Sequence, residues 1–299
     1  MTTVLLAGVA VVDFVFLVDE MPNKPEKYRA SDSSIVGGGC AASAAVAVAR
    51  LGGRAQLASR LGADRIGEII RSDLIDDGVD CRYIQSFPEA RSPYASVLID
   101  KSGERQIVSF RDPNIPADAE WLTSQLGSGF DAAMADTRWP AGALAIMTAA
   151  REHSKPGVID AEAPVAEAAD ALKVASHIAF SAQGLRDYSG HQDLVRGLRE
   201  AAAQTGAWVC FTDGPNGVTY LNGDSEKTVL PPQVDVVDTL GAGDAWHGAF
   251  ALALGEGSDE LEAVRFANAV ASLKCTRFGG REGIPTRDEV AEFLKAHAQ

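Results

Sequence analysis

Residues 236–250 read Val236-Val-Asp-Thr-Leu-Gly-Ala-Gly-Asp-Ala-Trp-His-Gly-Ala-Phe250. Val236 and Val237 suit a strand end, Gly241 and Gly243 suit a turn, and Trp246, Ala249, Phe250 and Ala253 recur at helical spacing. The pattern predicts strand, turn and helix in succession, with Asp244 in the first helical turn. Gly241, Ala242 and Gly243 carry no bulky side chain, so a ligand can reach the backbone N–H groups at the helix start. Those N–H groups and the helix dipole make an anion site.

An acid beside an anion site supports two readings. Asp244 could take a proton from a neutral hydroxyl while the N–H groups stabilise charge on a transferred phosphoryl group. It could equally complement the helix dipole, with the glycines serving only the turn.

The resemblance separates these readings. DTLGAGD with its small-residue helix resembles the C-terminal signature of the PfkB, or ribokinase, family of carbohydrate kinases. Gly37–Gly53 (GGGCAASAAVAVARLGG), leading to Ser59–Asp80, resembles the N-terminal signature, and Arg265–Pro285 resembles the closing helix and nucleotide-side loop. With Gly8 and Asp13, the resemblance spans nearly the whole chain. It implies an α/β fold, a three-layer, doubly wound, mostly parallel sheet with a small β lid, in which Asp244 is the catalytic base and Gly241, Ala242 and Gly243 form the anion hole. It also implies ATP with Mg2+, a possible monovalent cation, a sugar substrate and a homodimer formed through the lid.

Composition bounds the rest. The 299 residues are 46% hydrophobic, enough for one large domain, or one domain with an appendage. No apolar run approaches the roughly 18 residues of a membrane span, and the N-terminus lacks a signal peptide's basic start, so a soluble, cytoplasmic protein is expected. A net charge of −14 argues against nucleic acid as a partner. Cys40, Cys81, Cys210 and Cys275 show no metal-ligand spacing or disulfide framework and read as buried thiols.

Along the chain, Val4–Val9 is a short apolar strand, and Asp13 follows it either as a turn cap or facing a ligand beyond the strand end. The resemblance gives Asp13 the sugar hydroxyls. Phe14–Val18 and Tyr28–Ser33, then Ala95–Asp100 and Gln106–Phe110 around the turn Lys101-Ser-Gly-Glu104, read as one small sheet built from two insertions. The core is thus expected over 1–13, 37–90 and 114–299, and the lid over 14–36 and 91–113. Gly38 and Gly39 let backbone approach a ligand or act as a hinge. Ser43 stands where the family usually holds a sugar-binding Asn.

Ala55–Ser59, Asp131–Ala135, Val158–Asp160, His177–Ser181 and Trp208–Thr212 read as strands separated by helices, the pattern of a parallel doubly wound sheet. Arg138, beyond one strand, could clamp an anionic substrate group or pair with a nearby carboxylate. Asp160 and Glu162 read as solvated loop acids or as water-mediated magnesium contacts. Ser181-Ala-Gln-Gly184 stands where many relatives carry Asn-x-x-Glu, so the metal ligands are unknown. Thr212, Gly214 and Gly217 resemble the family's nucleotide-side loop. Asn268 and Gly279 resemble its adenine pocket, though Asn268 could instead satisfy a buried helix end.

Within the family, the chain is similar to ketohexokinases and more so to 6-deoxy-6-sulfofructose kinases, on Lys27-Tyr28, Pro116–Leu122 and Ala135–Trp139. That similarity implies Lys27 and Arg138 as sulfonate contacts, with Ser109 in place of the subgroup's lid Asn. Fructose, another ketohexose or a nucleoside are the alternative substrates, and a non-catalytic sugar-binding regulator is the alternative outside enzymes. A dinucleotide-binding oxidoreductase is disfavoured, because Gly8-Val-Ala-Val-Val-Asp13 lacks the glycine fingerprint.

Overall fold

The computed structural model describes residues 1–102, 104–223 and 225–297. Thirteen strands form among them. In chain order they are β1 (Thr3–Ala7), β2 (Val11–Leu17), β3 (Asp32–Gly38), β4 (Arg54–Gly62), β5 (Asp80–Phe87), β6 (Tyr94–Ile99) and β7 (Arg105–Phe110), then β8 (Ala132–Asp136), β9 (Gly157–Ala161), β10 (His177–Ser181), β11 (Trp208–Thr212), β12 (Val218–Asn222) and β13 (Ser225–Val229). Nine make one sheet in the order β13-β12-β11-β10-β9-β8-β1-β4-β5, and β3-β2-β6-β7 make a second.

From β5 to β11 every neighbouring pair in the large sheet is parallel, while β12 and β13 add an antiparallel edge. Sequence order runs outward from β1 in both directions, through β4 and β5 on one side and β8 to β11 on the other. The strand order therefore reverses at β1. In open α/β sheets the crevice beyond the carboxyl ends at such a point is where ligands bind.

Both faces of the large sheet are covered. Val4 and Leu6 of β1 join the core that includes helices Cys40–Arg50 and Ala242–Gly255, whereas Leu5 and Ala7 join the core under helix Pro140–Glu152. A strand buried on both faces carries an unbroken apolar run, which is why TVLLA lacks alternation. Helix Ala242–Gly255 is buried from Ala245 to Leu254, including the expected Trp246, Ala249, Phe250 and Ala253. It is a central helix, apolar all round.

Two local expectations need correction. Val236 and Val237 end no strand: they are 62% and 61% exposed in a loop, and Val237 N–H donates to the carbonyl of Cys275. Pro231 and Pro232 precede them, and proline supplies no donor to a ladder. The second lid strand begins at Asp32, not Tyr28, and runs through Gly37 and Gly38 to pair with Val12 and Val11. Glycines read as a strand's end because they lack a packing side chain. Here the Arg281 guanidinium lies where a Cβ on Gly37 would stand, so the bare backbone gives that side chain its place. In the expected hairpin turn, Gly103 lies outside the described residues; Asp100 N–H closes the turn on the carbonyl of Glu104.

Candidate active site

Gly241 takes the left-handed conformation at φ 74° and caps the helix that carries Asp244. Gly243, next along, has open space where a Cβ would stand, so the helix start is accessible as expected. His247, one turn later, donates from Nδ1 to the carbonyl of Gly243 at 2.8 Å, and its Nε2 lies 3.5 Å from Asp160 Oδ1. That imidazole ties the helix start to the end of β9.

Asp244 does not stand alone. Its carboxylate, the carboxylate of Asp160 and Sγ of Cys40 each place an atom within 4.8 Å of the others. Burial pushes the Asp244 carboxyl up to about 7; the charge of Asp160 adds to the shift, and His247 opposes it. Asp160 is raised well above the carboxylate range, first by burial and then by Glu162 and Asp136. The Cys40 thiol is raised by burial and by the surrounding acids, so it stays protonated. A general base works best with a pKa near the operating pH, and Asp244 has one. Asp160 is therefore no solvated loop acid: it is a strand residue 5% exposed, while the side chain of Glu162 is 52% exposed.

The other strand ends converge on the same place. Asp136 accepts from the N–H groups of Val9, Ala41 and Arg138 at 2.9, 3.1 and 2.9 Å, clamping β1, helix Cys40–Arg50 and β8 together. A Cβ on Gly39, at φ 96°, would meet the carbonyl oxygen of Val9 at 2.3 Å, and one on Gly38 would meet Asp13 Oδ2 at 2.8 Å. The paired glycines thus let Asp13 and the end of β1 close over the start of helix Cys40–Arg50. Burial raises Asp13 above its usual range, opposed by Arg281.

Ser43 is buried and its Oγ receives Arg281 Nε at 3.4 Å. Arg281 also donates to the carbonyl of Gly38 at 2.6 Å, leaving Nη1 unpaired among the described residues. Arg281 carried no signal in sequence, because its partners lie 238 and 243 positions away.

Beyond Val9, a cavity at the switch point is lined by Arg60, Arg111 and Arg138, with Asp112 and Ser59. Arg60 donates to the carbonyl of Pro116 at 2.7 Å and lies over the Trp139 ring, and burial lowers its pKa to about 10. Arg138, which lines this cavity, pairs with Glu162 at 3.4 Å, the carboxylate partner of one of its two expected readings. Sequence reasoning missed Arg60 and Arg111. Nothing in a strand interior or a lid end marks an arginine for a cavity that forms only on folding. Lys27 is exposed and outside this lining. Ser109 is exposed on β7, in register with Ala95 and through it with Asp13, so it shares that acid's face of the small sheet.

Against Gly243 itself opens a cleft of about 350 Å³. Thr212, Gly214, Gly217 and Asn268 all line it, together with Ala242, Gly243 and the unforeseen Pro231–Val234 segment and Trp246. Asn268 has its amide in use: Oδ1 accepts from Trp246 Nε1 at 2.8 Å, and Nδ2 donates to the carbonyl of Val229 at 3.1 Å. Gly279, expected in the adenine pocket, is not in this lining; its N–H donates to Asp238 Oδ2 at 3.1 Å. Ser181, at the missing Asn-x-x-Glu, caps helix Ala182–Ser189 by accepting from Gly184 N–H.

An acid of raised pKa at an open helix start, with a cleft against Gly243 and an arginine-lined cavity at the strand ends, suits group transfer between two bound molecules. The sequence profile described as pfkB family carbohydrate kinase matches residues 1–287, and the chain belongs to that family. It is a carbohydrate kinase, a phosphotransferase with a hydroxyl acceptor. Among its relatives, the ribokinase of Bacillus subtilis (strain 168) is 30% identical over 98% of this chain and 100% of its own length. A fructokinase of Vibrio alginolyticus is 26% identical over 98% and 99%. A crystal structure from Agrobacterium tumefaciens, provisionally called a ribokinase, superposes with a TM-score of 0.89 at 36% identity, covering 100% of this chain and 99% of that one. No helix among the described residues is long and apolar enough to cross a membrane.

Proposed function

We propose that the chain transfers the γ-phosphoryl group of ATP to a primary hydroxyl of a ketose that carries an anion at its far end, with 6-deoxy-6-sulfofructose, phosphorylated at C1, as the specific assignment. The observation that carries this reading is the cavity lined by Arg60, Arg111 and Arg138 beside the end of β1. Guanidinium groups match the oxygens of a sulfonate or phosphate through paired N–H donors.

In this reading the sugar lies across the strand ends. Its anionic end sits among the arginines, its hydroxyls on Asp13, and the reacting hydroxyl at Asp244. Asp244 takes the hydroxyl proton as the oxygen attacks, and the Gly241–Gly243 backbone stabilises the phosphoryl group in transit. The apolar cleft receives the adenine ring, whose flat face needs area more than charge. Magnesium carried by the nucleotide phosphates would be met by the carboxylates of Asp160 and Glu162, hard oxygen donors that suit it; the ion neutralises phosphate charge. Sites so disposed require the small sheet to act as a lid. Tyr94, Ile35, Ile107 and Val108 on that sheet are 39%, 56%, 61% and 68% exposed, which supports pairing of two copies through it.

Neutral fructose is the second reading. It is favoured by the Arg138–Glu162 ion pair, which already gives one cavity arginine a partner, and by Lys27 lying outside the lining. The deciding experiment compares kcat/KM of the purified protein with ATP across fructose, 6-deoxy-6-sulfofructose, fructose 6-phosphate, tagatose 6-phosphate and adenosine. Preference for the sulfonate is expected. Preference for fructose that Arg138→Ala leaves unchanged rejects the anionic assignment, and turnover of adenosine alone rejects a sugar substrate.

A further inference from the structure

Among the described residues, Lys274 is the one lysine with no solvent exposure, and it lies directly behind the anion turn. Its Nζ donates to the carbonyl oxygen of Asp238 at 3.0 Å and stands 3.4 Å from Asp238 Oδ2. Asp238 opens the DTLGAGD segment and organises it. Oδ1 accepts the N–H of Leu240 at 3.0 Å, and Oδ2 accepts the N–H of Gly279 at 3.1 Å. The N–H of Asp238 donates to the carbonyl of Cys275, next to Lys274.

The lysine stem is enclosed as tightly as its head. A Cβ on Gly283 would lie 3.2 Å from Lys274 Cε, 2.7 Å from the Gly279 carbonyl oxygen and 3.3 Å from that of Arg277. The ammonium thus holds Asp238, whose carboxylate joins the anion turn at 238–243 to the turn at 277–283, while the lysine stem packs beside Gly283. Taking an ammonium out of water is costly, and an apolar side chain would fill the same volume without that cost. What it adds is a fixed positive charge beneath the turn that has to receive phosphate.

A free monovalent cation held by the same carbonyl and carboxylate would do the same work. It would also be repelled by the ammonium already there, so the residues present do not fit an added ion. We infer that Lys274 is a built-in cation, which braces the anion turn from behind and makes phosphoryl transfer independent of potassium. Lys274 is a positioning residue, acting through Asp238. The turnover arm of its test rests on the kinase reading above.

The test is a salt series at matched ionic strength in potassium, sodium and tetramethylammonium chloride, with magnesium and ATP present. Wild-type kcat and KM should agree within about twofold across the three. Lys274→Ala should lose about tenfold or more in kcat/KM for ATP in tetramethylammonium and recover with potassium or ammonium, while KM for the sugar stays put. Wild-type stimulation by potassium beyond about fivefold overturns the inference. So does a folded Lys274→Ala that responds to no salt. Thermal unfolding in the same salts supplies a readout without turnover: potassium or ammonium should raise the midpoint of Lys274→Ala by about 2 °C or more and leave wild type unmoved. The reverse pattern overturns the inference. Wild type inactive in every salt rejects the kinase reading, and the unfolding series then decides the role of Lys274. If Lys274→Ala does not fold, the wild-type series decides alone: indifference supports the inference and potassium stimulation rejects it.

Discussion

The two cavities are built on opposite principles. One is a mostly apolar cleft walled by Pro231, Pro232, Val234, Val236, Trp246 and Ala271; the other gathers Arg60, Arg111 and Arg138 at the strand ends. An apolar wall rewards any flat, poorly hydrated group, whereas guanidinium groups reward a ligand whose anionic oxygens match their N–H donors. The difference teaches where selectivity resides. In the proposed reading the nucleotide side supplies area, and the sugar side decides which molecule is worth holding.

The largest test removes the acid at the helix start. Asp244→Asn keeps the shape and loses the base, so kcat should fall by roughly 10²–10⁴-fold with both ligands still bound. Stability should move the other way. Asp244 holds its proton far more tightly folded than its ordinary value of 3.8 allows, so the stability it contributes is complete below about pH 4 and is lost as pH rises through about 7. Asp244→Asn should therefore melt about 2 °C or more above wild type at pH 8, with the gap closing towards pH 4. A variant melting below wild type at pH 8 would show that the carboxylate is held by compensating contacts.

The next test concerns the arginine cavity alone. Arg111→Ala and Arg138→Ala should each raise KM for an anionic ketose by roughly 10- to 100-fold, and leave KM for ATP within about twofold. Equal losses on both ligands would mean that the two cavities are not independent. Titration ranks close behind. Because only ionised Asp244 accepts a proton, kcat should drop about tenfold per pH unit below about 7 and level off above it. The smallest effect expected is that of salt: raising ionic strength to about 0.5 M should weaken the anionic ketose several-fold and leave binding of adenosine nearly unchanged.

How much of this was legible before folding varies by residue. The turn at Gly241–Gly243 and the helix bearing Asp244 were readable because their cause is local: a left-handed glycine, then apolar residues at helical spacing. The strands β10 and β11 were readable to the residue for the same reason. Asp13 and Arg138 could be placed at strand ends but not given partners. Val236 and Val237 misled, since β-branched residues suit a strand only when a neighbouring strand is present to pair with them.

By itself, then, the sequence determined the architecture and its chemistry-bearing turn: alternating strands and helices, a small sheet from two insertions, and an acid at an open helix start. Tertiary structure alone decided what that acid experiences. Asp160 and Cys40 meet Asp244 from strand and helix positions 84 and 204 residues before it, and burial there, with the charge of Asp160 added, raises the pKa of Asp244. The same holds for Arg60, Arg111 and Arg138 in one cavity and for Lys274 beneath Asp238. Periodicity records how each segment meets water, so it reports burial and local geometry. Electrostatics depends on distance through space, and only the folded chain sets that.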